Sequence, residues 1–82
     1  MNSLQTLQTI YYSRASRTIE TILVSNETKS KRFYVYNYEG YSFRVFETKK
    51  GVSDFFNLNI ESKFHFDTEN SLDNYLSNIP IF

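Results

Sequence analysis

The chain has 82 residues, no cysteine, one histidine and a formal net charge of zero. So short a chain reads as one small domain, residues 1–82, that buries only a modest fraction of its surface. Without cysteine there is no disulfide framework and no thiolate chemistry, and a single histidine leaves a structural zinc site close to excluded. Core or interface must therefore come from the aromatics, eight Phe and seven Tyr.

The charge balance hides a division. Residues 1–52 hold eight Lys and Arg against four Glu, whereas residues 53–82 hold one Lys against five acids. Such asymmetry orients a partner or drives head-to-tail association, unless the halves neutralise each other within one fold, the reading preferred for so small a domain. No apolar run approaches the roughly 20 residues that span a bilayer, so no membrane partner is expected. Residues 1–9 lack both positive charge and a continuous apolar run, so no signal peptide is read there, and a cytoplasmic location is expected.

In chain order, residues 1–16 allow two readings. Ser3 caps a short helix with Leu4, Leu7, Ile10 and Tyr11 along one stripe, the expectation taken here, while an edge strand over residues 9–13 competes because Thr9, Tyr11 and Tyr12 are poor helix formers. Residues 13–16 read as a polar connection. Residues 17–25 alternate as a strand with apolar side chains on both faces, as suits a strand covered on both sides. Residues 26–30 are turn-like and return the chain antiparallel.

Residues 32–47 organise the rest. Two aromatic, β-branched runs flank Glu39-Gly40, a strong hairpin signal because glycine accepts the positive φ of a tight turn. A two-residue loop sets Tyr38 against Tyr41, Tyr36 against Phe43 and Tyr34 against Val45, and gathers all six on one face. A four-residue loop keeps those faces; a three-residue loop flips one strand against the other. After Lys49-Lys50, Gly51 or Ser53 starts a short helix with Val52, Phe55 and Phe56 on one side. Residues 57–67 alternate with period two, Leu58, Ile60, Phe64 and Phe66 on one face, and read as a strand. Asp67-Thr68 then caps a helix whose Leu72, Tyr75, Leu76 and Ile79 form an amphipathic stripe, with Glu69 in its first turn and Pro80 as its stop. Ile81-Phe82 tucks into the core or forms a hydrophobic hook.

The order β-β-β-α-β-α predicts an α+β fold: a three- to four-stranded, mainly antiparallel sheet with the C-terminal amphipathic helix packed on it. Ile22, Val24, Phe55, Phe56, Phe66, Leu72, Leu76 and Ile79 are the expected core.

Catalytic patterns are missing from the sequence. His65 stands alone on a polar strand face, two glycines cannot write a phosphate loop, no serine sits in a nucleophile elbow, and the carboxylates are scattered. No enzyme activity, metal or cofactor is expected. Binding is expected instead, at Tyr34, Tyr36, Tyr38, Tyr41 and Phe43, rimmed by Arg32, Arg44, Lys49 and Lys50. Tyrosines are stiff, amphipathic anchors, so a protein partner is the first reading. The other reading of the face is that it is the core side. The alternatives for its occupant are single-stranded nucleic acid stacked on the rings, which zero net charge disfavours, and a homodimer that buries the face on itself.

Two motifs resemble known families. Glu39-Gly40-Tyr41-Ser42-Phe43-Arg44-Val45-Phe46 resembles the longer ribonucleoprotein motif of RRM domains but departs from it at Glu39 and Arg44. Residues 26–30 are too few for the helix an RRM places between its first two strands, so the RRM fold is excluded. Phe66-Asp67-Thr68-Glu69, Leu72-Asp73, Tyr75-Leu76 and Ile79-Pro80 resemble the strand-to-helix ending of small phage anti-CRISPR proteins. That resemblance implies a compact, non-catalytic inhibitor from a phage or mobile element that occupies a surface of a Cas protein. Zero net charge does not suit imitation of DNA, so steric occlusion is the expected mechanism.

Overall fold

The computed structural model describes residues 1–12 and 14–81. Its elements run β1 (Ser3–Tyr12), β2 (Arg14–Ser25), β3 (Ser30–Tyr38), β4 (Ser42–Phe46), α1 (Lys49–Leu58), β5 (Phe64–Phe66) and α2 (Glu69–Asn78). The fold is α+β: the strands form one antiparallel sheet whose spatial order is the chain order, with one strand more than expected.

The extra strand is β1, where a helix was expected. Thr6, Thr9, Tyr11 and Tyr12 prefer extended backbone, and pairing with β2 satisfies one side of the strand. Leu4 lies opposite Val24 and Ile10 opposite Ile19, with a register shift between Thr6 and Gln8. That bulge at Leu7 reverses the alternation. Leu4 packs into the core on one face, while Gln8, Ile10 and Tyr12 line a groove on the other. The polar connection expected over residues 13–16 is displaced because β2 already begins at Arg14; Ser13 lies outside the described residues.

The hairpin turn holds three residues, not two. Glu39 (φ 57°) and Gly40 (φ 80°) both adopt the left-handed region, the Tyr41 N–H reaches the Tyr38 carbonyl at 3.4 Å, and the Asn37 side-chain oxygen accepts the Gly40 N–H at 2.7 Å. Pairing resumes only at Ser42, opposite Tyr38, so Tyr41 is one extra residue. That residue flips β4: Tyr36 faces Arg44 and Tyr34 faces Phe46, while Phe43 and Val45 join Phe33 and Val35 on the opposite side. The single face carrying Tyr34, Tyr36, Tyr38, Tyr41, Phe43 and Val45 is therefore not formed.

One face of the sheet is closed by α2. Leu72 and Leu76 are buried against Ile22, Val24, Phe33, Val35, Phe43 and Val45, with Phe66, Tyr75 and Ile79 packed around them. The Thr68 hydroxyl accepts the Ser71 N–H at 3.1 Å and caps the helix as expected. Asn2 ties β1 to the other end of α2, its side-chain amide donating to the carbonyls of Leu76 (3.0 Å) and Ile79 (2.9 Å). Ile81 is buried in the same cluster, the core outcome for the C-terminal pair as far as it is described; Phe82 lies outside the described residues.

The other face carries Ile19, Tyr36 and Phe46, with Val52 and Phe55 of α1 packed against them. The helix starts earlier than expected because the Thr48 hydroxyl accepts the Gly51 N–H at 3.0 Å, and it ends where Asn59 turns left-handed at φ 56°. Helix thus takes Asn57 and Leu58 from the segment expected as a strand over residues 57–67, of which only Phe64–Phe66 pairs in the sheet. Phe56, assigned to the core from sequence, is exposed at the helix margin.

Leu76 and Thr68 offer a calibrated test of this packing. Leu76→Ala should destabilise the fold by about 2–5 kcal/mol through lost burial and a residual cavity. Thr68→Ala should remove only about 1 kcal/mol of capping. Urea unfolding followed by circular dichroism measures both; equal losses would contradict the burial described for Leu76.

Candidate protein-binding face

The α1 face is only half covered. None of the residues of α1 is fully buried. Its grip on the sheet is aromatic: Phe55 lies 5.5 Å from Phe46 and 5.7 Å from Tyr36, and Phe56 lies 5.0 Å from Tyr36, all centroid to centroid. Phe56 also stacks on Tyr12 of β1 at 5.4 Å, bridging the helix to the edge of the sheet. Between them opens a groove of about 290 Å³, lined by Ile10, Tyr12, Ile19, Tyr34 and Val52. Among the described residues, Lys49 is the charged one that lines it.

Three members of this surface remain open to solvent: Ile10 (45% exposed), Tyr12 (38%) and Phe56 (41%). They are brought together by distinct local causes. The β1 bulge turns Ile10 and Tyr12 to this face, and Phe56, about 100° round the helix from Phe55, falls at the helix margin beside Tyr12.

Of the residues singled out from sequence, Tyr34 and Lys49 line the groove. Tyr36 is buried in the aromatic cluster, only 7% exposed, and acts as core. Tyr38 lies further along β3, where Arg17 donates to its hydroxyl at 2.7 Å and lies over its ring at 4.4 Å. Tyr41, exposed in the turn, meets Tyr38 edge to face at 5.9 Å. Phe43 is buried on the opposite, α2 face and is unavailable to a partner of this one. Of the basic rim, Arg44 donates to Glu61 (2.7 Å), which holds the Glu61 carboxyl below its ordinary range, and Lys50 pairs with Asp54 at 2.8 Å. Arg32 is exposed on β3, opposite Leu23.

Ile10, Tyr12 and Phe56 were missed as surface residues. The signal available in the sequence was the alternation Gln8, Ile10, Tyr12, which the helical reading of residues 1–16 set aside.

Near β5, Ser42 Oγ lies 3.1 Å from His65 Nε2, and Asp67 Oδ1 lies 3.6 Å from that same nitrogen. A proton relay requires the hydroxyl and the acid on opposite ring nitrogens. Here both fall on Nε2, and Ser42 also accepts from Arg44 at 2.9 Å, so the trio is a surface hydrogen-bond network without relay geometry. No group of His, Asp and Glu suited to holding a metal occurs among the described residues, nor any helix long and apolar enough to cross a membrane. No protein-family model, curated protein or solved structure matches the chain.

On the α2 face, a cavity of about 130 Å³ gathers Glu20, Glu69 and Asp73. Burial first, then the charges of Glu69 and Asp73, raises the Glu20 carboxyl above its ordinary value. The folded chain therefore holds this proton more tightly than the unfolded chain does. Its contribution to stability is full below the unfolded carboxylate range and is lost as pH rises through the raised folded value. Glu20→Gln should thus gain stability relative to the parent between about pH 4 and pH 7. Thermal unfolding across that range measures it, and a difference that shrinks with rising pH would contradict the assignment.

Proposed function

We propose that this chain is a non-catalytic protein-binding module that engages its partner through the half-covered α1 face. The observation that supports this is the exposure of Ile10 and Tyr12, which line a mainly apolar groove, together with Phe56 stacked on Tyr12 beside it. Exposed apolar side chains scattered singly are ordinary, but rings and aliphatics gathered on one face, beside a groove that Lys49 lines, have the make-up of an interface. The partner class implied by the C-terminal strand-to-helix resemblance is a Cas protein in the cytoplasm, inhibited by occlusion of its surface. Single-stranded nucleic acid is the less favoured occupant, since two of the four rim cations, Arg44 and Lys50, are matched by carboxylates of the same chain.

The test compares the parent with Ile10→Lys and with Leu58→Ala, a substitution at an exposed residue that does not line the groove. Immobilised protein is exposed to bacterial lysate with and without nuclease, and the eluate is identified by mass spectrometry. The parent and Leu58→Ala should each retain one stoichiometric protein after nuclease. Ile10→Lys should lose it by about tenfold or more, because a charge is forced into the apolar centre of the contact. Retention that survives Ile10→Lys, or that disappears with nuclease, would overturn the reading.

A further inference from the structure

We infer that the free edge of β1 is an interface between two copies of this chain, which pair their β1 strands antiparallel across a two-fold axis. A sheet in the order β1 to β5 has two edges. The β5 edge is three residues long, Phe64–Phe66, and carries His65. The β1 edge is ten residues long, Ser3–Tyr12, and along it alternate N–H and C=O groups point away from β2 without a strand to receive them.

Charge selects the occupant. Edge strands are ordinarily kept apart by lysine, proline or inward-pointing charges. β1, Ser-Leu-Gln-Thr-Leu-Gln-Thr-Ile-Tyr-Tyr, has none of these. The three inner strands each carry formal charge: Arg17 and Glu20 on β2, Lys31 and Arg32 on β3 and Arg44 on β4. In a two-fold pairing a strand meets its own composition, so charges of one sign near the axis face one another. An uncharged strand is the composition that pairs with itself without electrostatic penalty, and of the two edge strands β1 is the one long enough to use it, ten residues against the three of β5.

The bulge at Leu7 fixes the register. Before it, Leu4 and Thr6 point to the α2 face, opposite Val24 and Ile22; after it, Thr9 and Tyr11 do so, opposite Glu20 and Thr18. Residues facing each other across an antiparallel ladder must share a face. An axis between Leu7 and Gln8 meets that condition from Leu4 to Tyr11, short of the second register shift between Tyr11 and Tyr12: Thr6 faces Thr9 of the second copy, Gln5 faces Ile10 and Leu4 faces Tyr11. Tyr11, 67% exposed in one chain, gains an apolar neighbour there. The pairing joins two sheets into one of ten strands and uses backbone at the edge, so it is independent of the partner proposed for the α1 face and leaves that face open.

Sedimentation equilibrium of the intact chain should give twice the 9.8 kDa chain mass. Thr6→Lys combined with Thr9→Lys sets like charges against each other twice across the axis and should give the monomer mass with the circular dichroism spectrum unchanged. Register is tested in a chain that has no native cysteine. Thr6→Cys and Thr9→Cys proteins, mixed and oxidised, should form the mixed disulfide in several-fold excess over either homodisulfide. A monomeric parent, a dimer indifferent to the paired lysines, or homodisulfides in excess would each overturn the proposal. So would a parent that stays monomeric but binds an uncharged strand-forming peptide.

Discussion

A sheet with apolar side chains on both faces needs cover on both, and this chain has two ten-residue helices with which to provide it. The two do not share the task equally. α2 presents Leu72 and Leu76 one turn apart and seats both among β-branched and aromatic partners, so its face closes. α1 presents Val52 and Phe55 to the sheet, but Phe56 leaves the helix sideways and finds its neighbours in Tyr36 and Tyr12. A helix held by ring contacts along one margin, with no fully buried residue of its own, covers a strip and leaves the sheet beyond it open. The groove beside β1 is that uncovered remainder, and the exposure of Ile10 and Tyr12 follows from it.

Two single residues decide what the uncovered strip contains. Tyr41 adds one position to the hairpin turn and Leu7 adds one to β1, and in a period-two structure one residue exchanges the faces of everything that follows. Tyr41 sends Phe43 and Val45 to the closed face, which completes the α2 core, and leaves Arg44 and Phe46 beside the tyrosines. Leu7 keeps Leu4 in that core while turning Ile10 and Tyr12 to the open side. Neither effect is a matter of residue type; both are matters of counting.

That distinction separates what was legible in the sequence from what was not. The α2 stripe, the Thr68 cap, the Glu39-Gly40 turn and the two-faced burial of β2 rest on local preferences strong enough to survive any context. The number of residues in the turn does not, because Glu39 and Gly40 accept left-handed backbone in a two- or three-residue loop alike. The side-chain oxygen of Asn37, holding the Gly40 N–H, is part of the geometry observed. Residues 57–67 alternate as well as any strand, yet Leu58 belongs to a helix begun ten residues earlier at Thr48, and Ile60 lies exposed in the loop that follows. β1 failed as a sequence reading for the opposite reason. Its helical stripe is real on paper, but its Thr and Tyr residues resist helix, and β2 supplied a pairing that the sequence in isolation could not reveal. The candidate site inherited both errors: Tyr34 and Lys49 survive in it, Tyr36 and Phe43 became core, and its exposed centre came from the segments misread.

An edge and a face are different resources, and the geometry lets one chain use both. Edge pairing consumes backbone hydrogen-bonding groups in the plane of the sheet, whereas the groove beside α1 is built from side chains that stand perpendicular to it. A two-fold axis that joins antiparallel β1 strands runs along the sheet normal, so the two α1 faces of such a pair look the same way. Two grooves related in this manner, each next to the shared edge, would meet a symmetric or repeating target together. The second contact would then be intramolecular and need little intrinsic affinity. For a domain too small to spread a large interface over its own surface, doubling the sheet is the direct way to enlarge it. The uncharged composition of β1 is the feature of the sequence that permits that doubling.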